Sequence, residues 1–399
     1  MIYNTLYQLY YIDRQKHENV YKTRFDAETT IKFDFNIHQH PAFIFLHTAH
    51  FDLISKIYRL DKEVDLVYNK LPKIARTKYI RDTLVSEIKN TNDIEGVVST
   101  KKEIHEILDQ LKSKKHDRLY GMVNRYNFLM EEQYLNLETF KDIRAIFDEL
   151  VKKEVYQNNP ENKLDGKIFR KSSVFLYKAA GSVLHEGVTP ETNIIDLLTK
   201  SLNILNNDKM DLLIRVAIFH YLFGYIHPFY DGNGRVNRFI TSMMINKHLS
   251  QIMGYHISSQ IKHHKKIYYD AFERTNSTHN KGDLGTFVYM FLGIINNAYE
   301  YVLENLKNQQ IKFDTYIEKL FRDNIFNQIE KKLIYILIQS TMFSEMGSKI
   351  NELHIFTEMS IPWVRKKLNY LNELGLLIKY RDGKNMIYNL DLEKLDEII

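Results

Sequence analysis

Tyr225-Ile226-His227-Pro228-Phe229-Tyr230-Asp231-Gly232-Asn233-Gly234-Arg235-Val236-Asn237-Arg238 is the stretch around which this chain is organised. Before it, Leu212 to Tyr225 is an apolar helical pattern; after it, a second pattern begins near Arg235 and runs through Met243 and Ile245. The stretch therefore reads as a loop between two helices. Gly232 and Gly234 reach backbone conformations closed to other residues. A glycine turn that opens a helix aims several free N–H groups at one point, where an anion can sit. Arg235 and Arg238 are three apart and share a helix face, and a guanidinium fork matches phosphate oxygens in shape as well as charge. Asp231 is the wrong sign for phosphate but suits a Mg²⁺ that bridges to it. His227, with an ordinary pKa of about 6.5, is a suitable base for an incoming hydroxyl. Together these are the parts of a site for a phosphate chain.

The run resembles the signature of the Fic family, His-Pro-Phe-x-(Asp/Glu)-Gly-Asn-Gly-Arg-x-x-Arg, and meets it at every specified position. The resemblance implies transfer of a nucleoside monophosphate, usually AMP from ATP, to a Ser, Thr or Tyr hydroxyl of a target protein or of the chain itself. It assigns the general base to His227 and the Mg²⁺ to Asp231. Asn233 and the N–H groups around Gly232 and Gly234 fall to the α-phosphate, Arg235 to the β-phosphate and Arg238 to the γ-phosphate. Relatives that phosphorylate instead carry lysine at the second motif glycine, so Gly234 favours AMP transfer.

Upstream, a helical pattern from Leu53 to Asn92, broken at Pro72, ends at Thr91-Asn92-Asp93-Ile94-Glu95-Gly96. Thr91 and Glu95 are four apart, so the hydroxyl and the carboxylate share a face and the one can orient the other; Gly96 is a natural stop. Ahead of the signature, this segment resembles the inhibitory motif (Ser/Thr)-x-x-x-Glu-(Gly/Asn) of the Fic class that carries it N-terminally. The implied brake is Glu95 occupying the Arg238 fork in place of the γ-phosphate. A brake of this kind can be stabilised across an interface, which makes a homodimer one expected assembly. The same site run backwards, with Glu95 activating water, implies removal of AMP as an alternative.

The 399 residues, 44% hydrophobic and 13% aromatic, are enough for two or three domains with real cores. Only 6 Pro and 15 Gly leave few breaks, so the fold class expected is mainly α: a Fic-type helical core with a small β-hairpin flap, then a winged-helix domain. The boundaries expected are 1–100 for an N-terminal region ending in the inhibitory helix, 101–310 for the core and 315–399 for the last domain. The absence of Cys excludes disulfides and thiolate metal sites and suits a reducing, cytoplasmic setting. The opening Met1-Ile2-Tyr3-Asn4 shows no signal-peptide pattern, and no run of about 20 apolar residues offers a membrane span. A formal charge of +5 does not by itself point to nucleic acid.

Elsewhere the readings are local. Thr30 to Ile37 alternates like a short strand, and His38, His40, His47 and His50 lack the spacing of a metal site. Gly166 to Tyr177 breaks into alternating pieces that suggest a hairpin; by the resemblance this is the flap that docks the target by strand addition, through Ser172, Ser173, Val174, Phe175, Leu176 and Tyr177. Tyr268 and Tyr269 match a tyrosine pair that approaches the nucleotide base in the family. A last core helix runs from Gly282 towards Leu306. Beyond Ile311, three helical segments and a hairpin turning at Asp382-Gly383 resemble a winged helix. Its third helix, with Arg365, Lys366 and Lys367 exposed, is the element that would enter a DNA groove. A DNA-binding regulator whose core senses nucleotide or modifies itself is the second alternative.

Overall fold

A computed structural model describes residues 3–111, 117–177, 183–382 and 385–399, and the fold is mostly helical with three small antiparallel sheets. By contacts the chain divides into two compact units, 1–61 with 84–300, and 62–83 with 301–399. This division departs from the boundaries expected near 100 and 310. Three long helices, Thr48–Lys70, Lys73–Ile94 and Gly285–Arg322, run through it, so local composition does not mark it. The Gly285–Arg322 helix continues well past Leu306, because its apolar stripe does not stop there.

The first unit is built around Leu212–Ile226, whose residues are nearly all buried. A helix apolar on every side has no solvent face and must lie inside. Asp211 caps its start by accepting from the Leu213 and Ile214 N–H groups (2.9 and 3.3 Å). At its other end His227 takes a left-handed conformation (φ 52°, ψ 63°) and stops the helix. The helix Asn233–His248 follows after Gly232, also left-handed at φ 82°.

The N-terminal 61 residues pack into this same unit. Arg24 and Asp283 pair in the interior (3.4 Å) and the Tyr3 hydroxyl donates to Asp283 (3.3 Å), tying the first helices to the start of the Gly285 helix. The expected strand is present as Ile31–Ile37, paired with His40–Ile44. The hairpin expected over 166–177 is displaced: 166–174 are bends and coil, and the strands are Phe175–Tyr177 and Val183–Glu186, with Phe175 opposite Glu186. Of the expected docking segment, Ser172, Ser173 and Val174 lie outside the strand and Phe175, Leu176 and Tyr177 within it.

In the second unit, helices Gln328–Phe343, Ile350–Thr357 and Ile361–Glu373 precede strands Leu377–Asp382 and Asn385–Leu390. Residues 383 and 384 of the expected turn lie outside the described residues. A two-residue strand, Ser348–Lys349, joins the sheet beside Asn385–Leu390, an addition too short for any sequence pattern to mark. On the third helix Arg365 and Lys366 are exposed, but Lys367 is not free as expected: it pairs with Glu330 (2.7 Å). Among the described residues, no helix is long and apolar enough to cross a membrane.

Candidate active site

The signature loop is held by its own apolar and amide groups. The Phe229 ring stacks on Phe147 (4.0 Å, 13°) and meets Phe169 edge-on. Asn233 does not reach into open space as expected for an α-phosphate ligand. Its amide accepts from the Phe229 N–H (2.9 Å) and donates to the Phe229 carbonyl (2.8 Å), so both ends of the side chain are spent on closing the turn. Backbone groups of the loop also stand open to an anion. The first N–H to close onto the Asn233–His248 helix is that of Val236, onto the Gly232 carbonyl (3.1 Å), which leaves the N–H groups of 233–235 at the open helix start.

Behind the loop lies Arg170, a fully buried arginine with no ion pair among the described residues. Its guanidinium donates to the carbonyls of His227 (2.8 Å), Ser172 (2.7 Å), Val188 (3.0 Å) and Ile226 (3.2 Å). One cation thus ties both sides of the flap to the backbone of the candidate base. Ser172 also donates its N–H to the Tyr230 hydroxyl (3.1 Å). Gly187 makes this possible, since a Cβ there would lie 2.4 Å from Arg170 Nη2 and 3.1 Å from His227 Cβ. No local pattern in the sequence announces Arg170; only the fold brings four carbonyls around it.

His227 Nδ1 is buried and makes no well-formed hydrogen bond, with the Gly224 backbone beside it. Burial, then His185 and Arg170 nearby, pushes its imidazole down to about 4, so at neutral pH it is uncharged and able to accept a proton.

The two motif arginines are both buried but differently occupied. Arg235 pairs with Glu154, itself buried, while its Nε and Nη2 have no hydrogen-bond partner. Buried donors without acceptors are costly, and these two sit beside the open helix start. Asp231 is half-exposed, with Oδ1 3.7 Å from Arg235 Nη2. Arg238, 1% exposed, is fully engaged: Nε donates to Thr91 Oγ1 (2.8 Å), and Nη2 to the Thr91 carbonyl (3.0 Å) and to Glu95 Oε1 (2.6 Å). Thr91 therefore grips the arginine and does not touch the acid it was expected to orient. Burial would raise the Glu95 carboxyl, but the Arg238 guanidinium outweighs it and holds the group below its ordinary range.

Gly234 makes room for that carboxylate, since a Cβ there would lie 2.0 Å from Glu95 Oε1. Gly96, left-handed at φ 73°, ends the approach.

The Glu95 helix is pinned by a residue not singled out from sequence. Glu87, buried two turns earlier on the same face, accepts from the Ser258 N–H (2.9 Å), the Ser258 hydroxyl and the Ser242 hydroxyl (3.4 Å). Burial lifts its carboxyl to about 7. The spacing 87, 91, 95 was the available signal. The tyrosine pair also divides. Tyr268 is buried, its hydroxyl bonded to His220 Nε2 (2.7 Å) and its ring against Phe272, so it offers no open face for stacking. Tyr269, 38% exposed, remains available.

Residues 134–245 match the Fic/DOC family model. The chain is similar to a probable protein adenylyltransferase of Aquifex aeolicus, 28% identical over 140 residues; the match covers 35% of this chain and 42% of that protein, less than half its length. Among solved structures it is similar to a Fic family protein from Desulfovibrio desulfuricans G20, with a TM-score of 0.50 at 21% identity over 86% of this chain and 96% of that one. It is also similar to Fic-1 from C. elegans, with a TM-score of 0.45 at 18% identity over 76% of this chain and 81% of that one. The family match therefore reaches residues 134–245, and the signature loop lies inside that span. Glu87, Thr91, Glu95, Tyr268 and Tyr269 lie outside the matched span.

Proposed function

We propose that this protein transfers AMP from ATP to a Ser, Thr or Tyr hydroxyl of a protein, its own chain included, and that Glu95 holds the reaction in check. The observation that carries the reading is the pair of buried arginines at one helix start, beside an uncharged imidazole. Arg235 offers two donors without a hydrogen bond, of which Nη2 lies 3.7 Å from Asp231 Oδ1. Arg238 offers a fork that at rest is filled by a carboxylate. Anion recognition is what such groups are for.

The substrate hydroxyl gives its proton to His227 as its oxygen attacks the α-phosphorus. The bond from that phosphorus to the bridging oxygen of the β-phosphate breaks, and pyrophosphate leaves with the electron pair. Arg170 keeps the His227 backbone in its left-handed turn, and the helix-start N–H groups receive the α-phosphate charge. Asp231, a single half-exposed carboxylate at the mouth, suits Mg²⁺, which takes one or two protein carboxylates and fills its remaining positions with phosphate oxygens and water. Bound there, Mg²⁺ would neutralise phosphate charge. While Glu95 fills the Arg238 fork, a γ-phosphate cannot enter it, and the triphosphate lacks the anchor that sets its α-phosphorus in line.

Mass spectrometry of the purified protein with ATP and Mg²⁺, wild type beside Glu95→Gly, tests the nucleotide, the reaction and the brake. An added AMP that increases in the variant is the expected result; no adduct on the chain or on added protein in either form rejects the reading.

A further inference from the structure

Arg238 has a second set of neighbours, apart from the brake. Thr91 and Glu95, which fill its fork, both belong to the segment that carries the brake. Tyr268 does not: it lies on the helix Lys265–Asn276. Burial raises its phenol, and the Arg238 guanidinium beside the phenol oxygen works against that rise. The hydroxyl is held in turn by Nε2 of His220 (2.7 Å), a buried residue of the helix Leu212–Ile226.

The direction of the protons in this chain follows from its far end. Thr241 spends its one hydroxyl hydrogen on the Asn237 carbonyl a turn earlier (3.0 Å), so towards His220 Nδ1, 2.7 Å away, it can only accept. The His220 ring is packed against Phe272, Phe287 and Phe291, and burial, then the Arg238 charge, holds it well below the ordinary histidine range. A neutral imidazole with its hydrogen on Nδ1 has a bare Nε2, which takes the hydrogen of the Tyr268 hydroxyl. The phenol oxygen is left with lone pairs alone to turn towards Arg238. A neutral acceptor whose own hydrogen is committed elsewhere steadies a guanidinium without cancelling the charge that an anion needs. We infer that Tyr268 and His220 are positioning residues for Arg238, keeping its guanidinium in register for the γ-phosphate when Glu95 gives up the fork. The inference rests on the transferase reading, which assigns that phosphate to Arg238.

ATP and ADP differ by the phosphate in question, so the test compares their binding to the full chain carrying Glu95→Gly, by calorimetry with Mg²⁺. Adding Tyr268→Phe, which keeps the ring against Phe272 and removes the oxygen, should weaken ATP by about tenfold, the scale of one hydrogen bond to a charged group, and leave ADP within about twofold. His220→Leu should weaken ATP in the same selective way, acting through the phenol. His220→Gln, whose amide oxygen can stand where Nε2 stood, should recover most of that loss. Equal losses for ATP and ADP would mean a packing role, and unchanged ATP affinity would mean that Arg238 needs no such support; either result overturns the inference. So does a loss in His220→Leu that His220→Gln fails to restore. A selective loss of ATP affinity in a protein that adds no AMP to itself or to added protein would reject the transferase reading and leave the positioning role standing. Binding of neither nucleotide by Glu95→Gly would overturn both.

Discussion

His227 is held uncharged by burial and held in place by Arg170, and each property has a consequence at the level of one side chain. An imidazole pushed down to about 4 stays neutral through the pH range where a histidine ordinarily titrates. The acid limb of kcat/KM for AMP transfer, which reports the free enzyme, should therefore fall well below pH 6; a limb centred near the ordinary value of about 6.5 would contradict it. His227→Ala should abolish transfer and leave ATP binding by calorimetry within about threefold, because a base contributes to the reaction and not to holding the phosphates. Arg170→Met should unfold several degrees earlier, since it removes one donor group shared by four carbonyls, three of them partly buried, at about 1 kcal/mol for each hydrogen bond lost. Arg170→Lys should recover part of the melting temperature but less of the transfer rate, because a single ammonium cannot span four carbonyls.

At the scale of the element, the helix Lys73–Ile94 presents Glu87 and Thr91 on one face, with Glu95 just past its end, and its attachment depends on the charge of Glu87. The folded carboxyl titrates at about 7, above the unfolded value of about 4.3. Between those values the folded state binds more protons than the unfolded one, so stability is greatest below about 4.3 and is lost as pH rises through 7. Melting curves from pH 5 to pH 8 should show that decline, and Glu87→Gln, which cannot ionise, should make it shallower; the Asp82 and Asp283 carboxyls, pushed up to about 6 by burial, carry the slope that remains. An unchanged slope in the variant would mean that another group is responsible. Glu95 behaves in the opposite sense: its contribution is present above the ordinary carboxylate range and disappears only as pH falls below it. The brake should therefore hold through neutral pH.

For the molecule as a whole, the proposed function has ATP and Glu95 competing for one fork, so ligand and brake should trade stability. Removing Glu95 takes the carboxylate from a buried guanidinium, and because the Glu95 side chain is 26% exposed the loss falls short of the about 3–5 kcal/mol of a fully desolvated pair. Glu95→Gly should thus melt earlier than wild type without ligand. ATP should stabilise it more than it stabilises wild type, because a ligand that binds only the folded state adds stability in proportion to the logarithm of its excess over Kd. Thermal shifts measured against ATP concentration check both statements, and equal shifts in the two proteins would show that Glu95 does not occupy the ligand's place.

How much of this was legible in the chain depends on the range of the cause. The signature loop, the helix Leu212–Ile226 and the end of the Glu95 helix follow from neighbours within a few residues: glycines that permit left-handed backbone and an apolar run without a polar side. The flap was misplaced along 166–174 because its second strand, Val183–Glu186, is short and lies beyond a gap in the pattern. The roles of Asn233, Thr91 and Tyr268 were also not legible, since a side chain's free valences depend on what the fold sets against it: the Phe229 backbone, Arg238 and His220 respectively. What the sequence alone determined was the identity and order of the residues in the signature loop and the helix-loop-helix that carries them. Only tertiary structure decided that Arg170 and Glu154 stand behind the loop and that Glu95 fills the Arg238 fork. Those pairings join residues far apart in the chain, and no local rule of backbone or periodicity constrains a contact whose partners meet only after the core has closed.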